Sequence, residues 1–334
     1  MKVLVTGATG FVGAVLMPEL IGRYGIKAVS AFVLPGDTIP ATWREAGVRT
    51  FEGDIADAAA VRAAVGGHSH VVHLAGFISY WKGEEERLRK VNEDGARAMV
   101  EASLAAGVER LIHVSSVGAI GFHGSGQPAD ETTPFNWPED ILYMASKRRG
   151  QDIVELAVRE RGLKAVILNP ASIMGPGDHN PSTPHNELYR RISRGPQFGS
   201  FAGGLAIVDV RDLVSIILKA LEGRGRDGEG YLIVGANLSY RDAVRRISRA
   251  CGQRAYPFPV PAPLLTLAGH FLERASRRTG RRPLLTAAYG RLSGWTAYYD
   301  NAKSRREFGH TYIDVEKTIL DGWEYYRDTF GTGG

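Results

Sequence analysis

Short apolar runs alternate with amphipathic segments through the first half of the chain. An apolar run at residues 2–6 leads into a glycine-rich turn and then into apolar positions at helical spacing. Further apolar runs follow at residues 27–33, 48–51 and 70–74, and from residue 110 onwards. Strands that alternate with helices in this way are typical of βαβ units. The pattern therefore predicts an α/β fold with a doubly wound parallel sheet.

Two long segments in this half have the period of a helix. The first, residues 84–106, carries Asn92 on a face with Val91 and Ala96, which favours an inward polar anchor or simply a satisfied polar group. The second begins at residue 140 and places Tyr143 and Lys147 four positions apart, on one face. A nearby ammonium lowers the pKa of a phenol, which would suit Tyr143 to proton transfer. By itself, such a pair is also typical of an aromatic side chain covered by a lysine stem.

The turn after the first strand has the features of a phosphate-binding site. Gly7 permits a tight turn, Gly10 allows backbone to approach a pyrophosphate, and Gly13 allows a helix to pack closely on the strand. The G-x-x-G-x-x-G spacing differs from the general G-x-G-x-x-G pattern. Because the turn lies between a strand and a helix, we interpret it as the start of a dinucleotide site.

The end of the second strand bears on the choice of dinucleotide. An acidic side chain here accepts the ribose hydroxyls of NAD, whereas an arginine accommodates the 2′-phosphate of NADP. The strand ends in Leu34, Asp37 follows three residues later, and the turn has no arginine. We therefore favour NAD over NADP, with Arg44 or Lys27 as residues from which a phosphate could still be reached.

Three later strand ends carry candidate site residues. Asp54 is placed to accept the adenine amino group or to cap the next helix. Ala75 and Gly76 leave room for a flat cofactor. Ser116 is the candidate for positioning a substrate oxygen that Tyr143 protonates or deprotonates, with Ser115, which faces the other way, as the alternative.

Composition supports a globular protein with a large core. The chain has 334 residues, a net charge of +5 and one cysteine, Cys251, which excludes an internal disulfide. The first strand leaves no room for a secretory signal, so we expect a cytoplasmic protein. Arginines lie beside an apolar run at residues 264–272, notably Arg277-Arg278 and Arg281-Arg282. We interpret this as a solvated face and expect no membrane or nucleic-acid partner and no metal; an amphipathic helix on a membrane surface is the alternative.

Beyond residue 170 the regular alternation loosens. We predict helices at 187–194 and 239–251, strands at 203–209 and 230–235, a helix cap at Asp209, and a stiff connector at 257–263. Trp295, Tyr298 and Tyr299 are candidates for an apolar pocket or for the core. The predicted division is a dinucleotide-binding core at residues 1–170 with returning segments at about 205–235, and a smaller, mixed C-terminal substrate lobe at 171–204 and 236–330.

Taken together, the motifs resemble the extended short-chain dehydrogenases/reductases of the NAD-dependent epimerase/dehydratase family, over nearly the whole chain. The matching segments are Thr6–Gly13, Gly53–Ile55, His73–Gly76, Val91-Asn92, Val114–Ser116, Tyr143–Lys147 and Asn169-Pro170. Three others, at residues 75–83, 169–178 and 294–300, resemble the dihydroflavonol reductase-like branch. The resemblance implies a Rossmann-type fold, a homodimer formed through helices 84–106 and 140–161, and Ser116, Tyr143 and Lys147 as the catalytic residues.

The resemblance also assigns binding residues. For the cofactor these are Gly7, Thr9, Gly10, Phe11, Val12, Gly13, Leu34, Asp54, Ile55, Leu74, Ala75, Gly76, Asn92, Tyr143, Lys147, Asn169 and Pro170. For the substrate they are Phe77, Ser79, Ser116, Tyr143 and Ser172.

The chain departs from the family pattern at three positions. Nucleotide-sugar enzymes often have Gly-Pro-Arg where this chain has Gly175-Pro176-Gly177. Gln151 stands where glutamate is frequent, and Leu34 replaces an arginine common in NADP-dependent relatives. We expect an NAD(P)-dependent oxidoreductase acting on a ketone or secondary alcohol. The alternatives are a nucleotide-sugar epimerase or dehydratase that retains its NAD, and a non-catalytic NAD-binding module.

Overall fold

A computed structural model describes residues 1–279 and 283–331. The strands are β1 (Val3–Thr6), β2 (Val29–Val33), β3 (Arg49–Glu52), β4 (His70–His73), β5 (Arg110–Val114), β6 (Ala165–Pro170), β7 (Ser172–Met174), β8 (Gln197–Phe201), β9 (Gly204–Asp209), β10 (Gly230–Ile233), β11 (Ala236–Ser239) and β12 (Ala255–Val260). The helices are α1 (Phe11–Tyr24), α2 (Ala41–Ala46), α3 (Ala58–Val65), α4 (Glu85–Leu88), α5 (Gly95–Ala106), α6 (Leu142–Arg161), α7 (Pro184–Ser193), α8 (Val210–Leu221), α9 (Tyr240–Ala250), α10 (Ala262–Thr279), α11 (Ala287–Leu292), α12 (Ala302–Phe308) and α13 (Val315–Phe330).

The central sheet has seven parallel strands in the order β10-β6-β5-β4-β1-β2-β3. Strand β1 pairs with β2 and β4 in level register, so Thr6 lies opposite both Phe32 and His73. The carboxyl ends of these strands therefore meet at one edge. The direction of strand succession reverses between β1 and β4, and open α/β sheets bind ligands at such a switch point. The predicted doubly wound parallel sheet is confirmed.

The core forms a layer on each face of this sheet. Alternation along β1 sends Val3 and Val5 to one layer, with Leu16 of α1, and sends Leu4 to the other, with Met99 of α5. Helices α1 and α8 cover the first face, and α3, α5 and α6 cover the second. Apart from the edge strand β3, the strands are largely buried on both faces, which is why they appear as short continuous apolar runs.

The C-terminal part contains two smaller sheets. One has the order β11-β9-β7, with β11 antiparallel to β9 and β7 parallel to it. The other pairs β8 with β12. The smaller mixed part is thus confirmed, as is the cap of α8, because Asp209 accepts from the Arg211 backbone N–H. Strand β10 returns to the central sheet, whereas β9 does not.

Two predicted elements need correction. The segment 257–263 is not a plain connector, because residues up to Val260 form strand β12, with a bulge between Tyr256 and Pro259. A two-stranded sheet has only edges, where prolines cost no ladder hydrogen bond on their open side. The predicted helix 84–106 is interrupted by a π-helical turn at Arg89–Asp94. An extra residue per turn rotates the following side chains, and such turns are frequent at functional sites.

Within the described ranges, no helix is both long and apolar enough to cross a bilayer. Arg281 and Arg282, part of the basic segment noted above, lie outside the described residues.

Candidate active site

The glycine turn at the switch point leaves space for a pyrophosphate. Gly7 has φ +65°, and a Cβ there would lie 2.9 Å from the backbone nitrogen of Ala75. A Cβ at Gly13 would lie 2.3 Å from the carbonyl oxygen of Ala8, so only glycine allows α1 to pack this closely. Helix α1 begins after Gly10 with no side-chain cap and no acidic residue in its first turn. Its free N–H groups therefore face the turn as an anion site, which a dinucleotide fits.

Asp37 brings a carboxylate to this turn. Its Oδ2 accepts hydrogen bonds from the Thr9 hydroxyl at 2.6 Å and from the Leu34 backbone N–H at 3.2 Å. The side chain of Leu34 itself is 48% exposed. Asp37 thus places a carboxylate beside Leu34, and a carboxylate at this point can accept hydrogen bonds from ribose hydroxyls. Asp37 was noted as a strand-end acid, but sequence spacing did not reveal its contact with Thr9.

Of the two basic residues considered for a 2′-phosphate, Lys27 precedes β2 and Arg44 follows it. Lys27 belongs to a 3₁₀ turn before β2, at the amino end of that strand, opposite the edge that carries the glycine turn. Arg44 donates to the carbonyl oxygen of Ile39 at 2.9 Å. The expectation that Lys27 reaches a cofactor phosphate is therefore wrong, because the parallel sheet separates the two edges.

Asp54 and Ile55 lie at the carboxyl end of β3. Asp54 is exposed, and its Oδ1 accepts from the Ala56 N–H at 2.9 Å. Helix α3 is instead capped by Asp57, whose side chain accepts from two backbone N–H groups. The capping alternative for Asp54 is therefore wrong. Ile55 is buried and packs near Gly95.

Asn92 fastens the loop after β4 to the tyrosine helix α6. Its Oδ1 accepts from the Phe77 N–H at 2.9 Å, and its Nδ2 donates to the Phe77 carbonyl at 2.8 Å and to the Ser146 hydroxyl at 2.9 Å. Asn92 is buried in the π-helical turn. The expectation of an inward polar anchor is confirmed. These bonds hold the Phe77 backbone, which directly follows Ala75 and Gly76, beside α6.

Ser116, Tyr143 and Lys147 come together between the end of β5 and the start of α6. The Ser116 side chain interacts with the Tyr143 phenol and lowers its pKa. Lys147 donates from Nζ to the Val114 carbonyl at 3.3 Å, and a Cβ at Gly76 would lie 3.7 Å from that Nζ. Ser115 is buried on the other side of the strand, and its hydroxyl has no hydrogen-bond partner among the described residues. The geometry thus selects Ser116 over Ser115.

The electrostatics of this group differ from the expectation. Burial raises the pKa of Tyr143, and the hydrogen bond from Ser116 opposes this rise; Lys147 is not among the causes. Burial lowers the pKa of Lys147 from its ordinary 10.5 to about 8. The expected lowering of the tyrosine pKa by the lysine is therefore wrong for this chain without a bound cofactor. Loss of water around the phenolate is enough to raise the pKa of a partly buried tyrosine.

Asn169, at the end of β6, holds the backbone of Ser116 in place. Its Nδ2 donates to the Ser116 carbonyl at 2.8 Å and to Gln151 Oε1 at 2.7 Å, and the residue is fully buried. Gln151 therefore performs, as a neutral acceptor, a structural task that a glutamate could also perform. The Asn169 amide nitrogen is therefore used within the protein, whereas its buried Oδ1 has no hydrogen-bond partner among the described residues.

Aromatic rings in contact with one another lead away from Tyr143 and form the wall that we call the aromatic pocket. Ring centroids lie 5.8 Å apart for Tyr80 and Tyr143, 5.3 Å for Tyr80 and Tyr289, and 5.6 Å for Phe201 and Tyr289. Tyr240 extends the pocket, 5.2 Å from Phe201. Burial raises the pKa values of Tyr80, Tyr240 and Tyr289 above that of an ordinary phenol, so all are neutral at neutral pH. Sequence reasoning missed these residues because four separate segments supply them.

The predicted substrate residues outside the catalytic group either have contacts of their own or are exposed. The Phe77 ring lies 4.1 Å from the Arg87 guanidinium. The Ser79 hydroxyl is buried, donates to Glu84 at 2.5 Å and accepts from the Trp81 N–H. Ser172 is exposed in β7. Phe77 and Ser79 thus help to shape the loop after β4.

The three C-terminal aromatic candidates have different environments. Trp295 stacks with Phe122, at 5.4 Å, and lies near Trp137. Tyr299 is 2% exposed and belongs to the core. Tyr298 approaches Gly204, where a Cβ would lie 2.6 Å from its ring. The sequence left open whether these residues line a pocket or belong to the core, and Tyr299 belongs to the core.

Comparison with known proteins agrees with this geometry. Residues 3–234 match the NAD dependent epimerase/dehydratase family. The chain is 30% identical to Sterol demethylase protein B of Methylococcus capsulatus, over 98% of this chain and 99% of that protein. It is 29% identical to a putative dihydroflavonol 4-reductase of Synechocystis sp., over 97% and 94% of the two chains. The fold superposes on the UDP-glucose 4-epimerase of Thermotoga maritima with a TM-score of 0.77 and 22% identity, over 98% and 99% of the two chains. The chain is therefore a member of the NAD-dependent epimerase/dehydratase family of extended short-chain oxidoreductases, with similarity to the dihydroflavonol reductase-like branch.

Proposed function

We propose that the protein moves a hydride between a nicotinamide cofactor and an external ketone or secondary alcohol. The observation that carries the proposal is the grouping of Ser116, the Tyr143 phenol beside the Tyr80 ring, and Lys147 buried beside Gly76. A bound nicotinamide supplies or accepts the hydride. Ser116 holds the substrate oxygen, and Tyr143 exchanges the proton with that oxygen.

Proton transfer is the task of Tyr143. Because burial raises its pKa, the phenol is neutral near pH 7 and able to donate. Carbonyl reduction needs this donor, since the oxygen of the substrate gains negative charge as hydride arrives at its carbon. Ser116 donates to the same oxygen and disperses that charge. The structure therefore supports carbonyl reduction as the direction that the free chain is prepared for.

Lys147 is assigned to cofactor positioning. With a pKa of about 8, its amine is mostly an ammonium at pH 7. One proton is held by the Val114 carbonyl, which leaves two donors for ribose hydroxyls near Gly76.

We propose NAD as the cofactor, ahead of NADP. The support is the Asp37 carboxylate beside Thr9, because a second negative charge at this point opposes a ribose 2′-phosphate. Ribose hydroxyls, in contrast, can donate to the carboxylate. The glycine turn, Asp54 and Asn92 then hold the remaining dinucleotide, and segments 171–204 and 236–330 supply the substrate lobe.

The substrate is proposed to be predominantly apolar. Four aromatic rings, in a row that starts beside Tyr143, favour a hydrocarbon body and offer hydroxyls for few polar contacts. Gly177 stands where nucleotide-sugar enzymes often carry arginine. The name of the Methylococcus capsulatus relative refers to a sterol, which is in keeping with such a pocket.

We also propose a homodimer, in which α5 and α6 of two copies form the interface. Leu156 of α6 is 44% exposed, and a dimer interface on this helix would bury it. A solution mass equal to one chain would exclude this assembly.

One experiment tests the proposed function. The purified protein is denatured to identify any bound cofactor, and the native protein is titrated with NAD, NADH, NADP and NADPH before a panel of ketones is supplied. Exchangeable NADH with net ketone reduction is expected. A cofactor that stays bound, with sugar turnover that needs no added cofactor, would indicate the epimerase or dehydratase. Cofactor binding without any hydride exchange would indicate a non-catalytic module.

A further inference from the structure

Helix α10 exposes an apolar stripe along its outer face. We call Leu264, Leu267, Ala268 and Phe271 the outer stripe; they follow helical spacing on one side. Leu264, Leu267 and Phe271 are 60%, 55% and 66% exposed. An ordinary surface helix turns such residues inward. Here the inward contact is made by Gly269 and Ser276 instead, both buried.

Three aromatic rings continue this surface at the start of the helix. Phe198 and Tyr256 stack across the β8–β12 pair at 5.7 Å, and both are mostly exposed, as is Phe258. Strand β12 enters α10 through Pro261, whose carbonyl accepts from the Leu264 N–H at 3.1 Å. Contiguous exposed apolar groups of this kind usually mark an interaction site.

The segment that bears this surface is almost free of acidic residues. Between Gln253 and Tyr299 the only acidic side chain is Glu273, against seven arginines. Glu273 is turned inward, where it accepts from the Ala287 N–H at 3.3 Å. Arg274, Arg277 and Arg278 are exposed and form no ion pair within the described part of the chain. Arginines near a helix end also suit the helix dipole, but that role does not require the apolar residues before them to face solvent.

The same helix forms part of the wall behind the candidate active site. Helices α10 and α11 pack backbone to backbone, since a Cβ at Gly269 would lie 2.4 Å from the Ala287 nitrogen and one at Gly290 would lie 2.5 Å from the Thr266 nitrogen. Helix α11 carries Tyr289 into the aromatic pocket, against Tyr80. A single helix pair therefore separates the exposed apolar surface from the pocket.

We propose that α10 and the β8–β12 rings dock on the surface of a bilayer that contains anionic lipid. The outer stripe and the rings enter the interfacial layer, and Arg274, Arg277 and Arg278 meet lipid phosphates. Aromatic side chains suit this boundary. The docking does not depend on the proposed reaction. Only its consequence, that an apolar ketone passes from lipid to the pocket beside Tyr289, rests on the proposed function.

A second copy of the chain is a poorer occupant for this surface. Pairing two such faces would bring together arginines for which neither face offers an acidic partner. Like charges opposed across an interface are costly. A lipid headgroup layer supplies the missing negative charge over the whole surface.

The test is co-sedimentation of the full chain with vesicles, without cofactor or substrate. Vesicles of phosphatidylcholine with one third phosphatidylglycerol are compared with pure phosphatidylcholine, at low and high salt. We expect binding to the anionic vesicles that weakens with salt. The double variants L267Q/F271Q and R274Q/R278Q should each bind about tenfold more weakly or worse. Leu320→Gln, at a 44% exposed leucine on α13, is the matched control and should bind as the wild type does.

Contrary results are equally specific. Absence of wild-type binding to anionic vesicles, or unchanged binding by both double variants, would overturn the proposal. Sedimentation velocity identifies the competing occupant: conversion of an oligomer to a monomer by L267Q/F271Q, without vesicle binding by the wild type, would assign the surface to a second copy. The arginine variant changes only exposed side chains, so the test does not depend on the apolar variant folding. Because no turnover is read, failure here leaves the proposed function standing.

Discussion

The Thr9 hydroxyl donates a 2.6 Å hydrogen bond to the Asp37 carboxylate, which joins the glycine turn to the end of the second strand. This contact places a negative charge where the adenosine ribose of a dinucleotide would lie. It supports the choice of NAD more directly than the absence of an arginine does.

Asp37→Asn is expected to weaken the preference for NAD. The amide oxygen can still accept from Thr9, but the charge that opposes a 2′-phosphate is removed. We expect NADPH to bind about tenfold more tightly than it binds the wild type, with a smaller loss for NADH. Fluorescence titration with both reduced cofactors measures the two affinities. A wild type that already prefers NADPH would contradict this assignment.

Gly13→Ala is expected to abolish dinucleotide binding and to destabilise the fold. The new methyl would lie 2.3 Å from the Ala8 carbonyl oxygen, and backbone on both sides prevents relief. Gly22→Ala is the matched control in the same helix, because a Cβ there meets nothing within 4 Å. It should stabilise the protein by about 0.5–1 kcal/mol, as alanine does at an open helical position. Thermal unfolding with and without NADH compares the two; equal effects would refute the close-packing argument.

Lys147→Met is expected to change how stability depends on pH. The folded pKa of Lys147, about 8, is below its ordinary value of 10.5. Below pH 8 the lysine is charged in both states, so the full cost of burying the charge is present. Between pH 8 and 10.5 the folded state loses the proton first, and stability rises with pH.

The variant should therefore be the more stable protein at pH 7, by up to about 3 kcal/mol, and this advantage should shrink as pH rises towards 10.5. Denaturant unfolding of both proteins across this range measures the difference. A difference that does not vary with pH would show that the burial of Lys147 has no electrostatic cost. Loss of NADH binding by the variant would further support its assigned contact with ribose.

Tyr80→Phe tests the aromatic pocket separately from proton transfer. The ring at 5.8 Å from Tyr143 is kept, and only a hydroxyl is removed. We expect a several-fold change in KM at most and little change in kcat. A loss of kcat as large as that of a Tyr143 variant would move the proton-transfer role to Tyr80.

The fold was predictable from the sequence because its signals are local. Each central strand is a short apolar run, and Gly7, Gly10 and Gly13 mark one turn whose purpose follows from their spacing. Strand β12 was missed because Pro257 and Pro259 argue against a strand unless it lies at an edge. The sequence of β12 alone does not show that it pairs with β8.

Site residues could be predicted from the sequence only where they belong to a recognisable motif. Ser116, Tyr143 and Lys147 lie together, but the raised pKa of Tyr143 depends on burial by Tyr80 and other distant residues. The pocket joins segments that are far apart in the chain, so no spacing indicated Tyr289. Asp37 and Asn92 were recognisable as polar residues at suitable points, whereas their partners, Thr9 and Phe77, required the structure.

The most direct test of the proposed reaction is single-turnover reduction of a ketone by NADH deuterated at the transferred position, with wild type and Tyr143→Phe. For the wild type we expect deuterium on the carbinol carbon of the product. The variant should bind NADH normally and transfer hydride about 10²–10⁴-fold more slowly, the usual contribution of a general acid. Transfer by Tyr143→Phe at the wild-type rate would contradict the central claim.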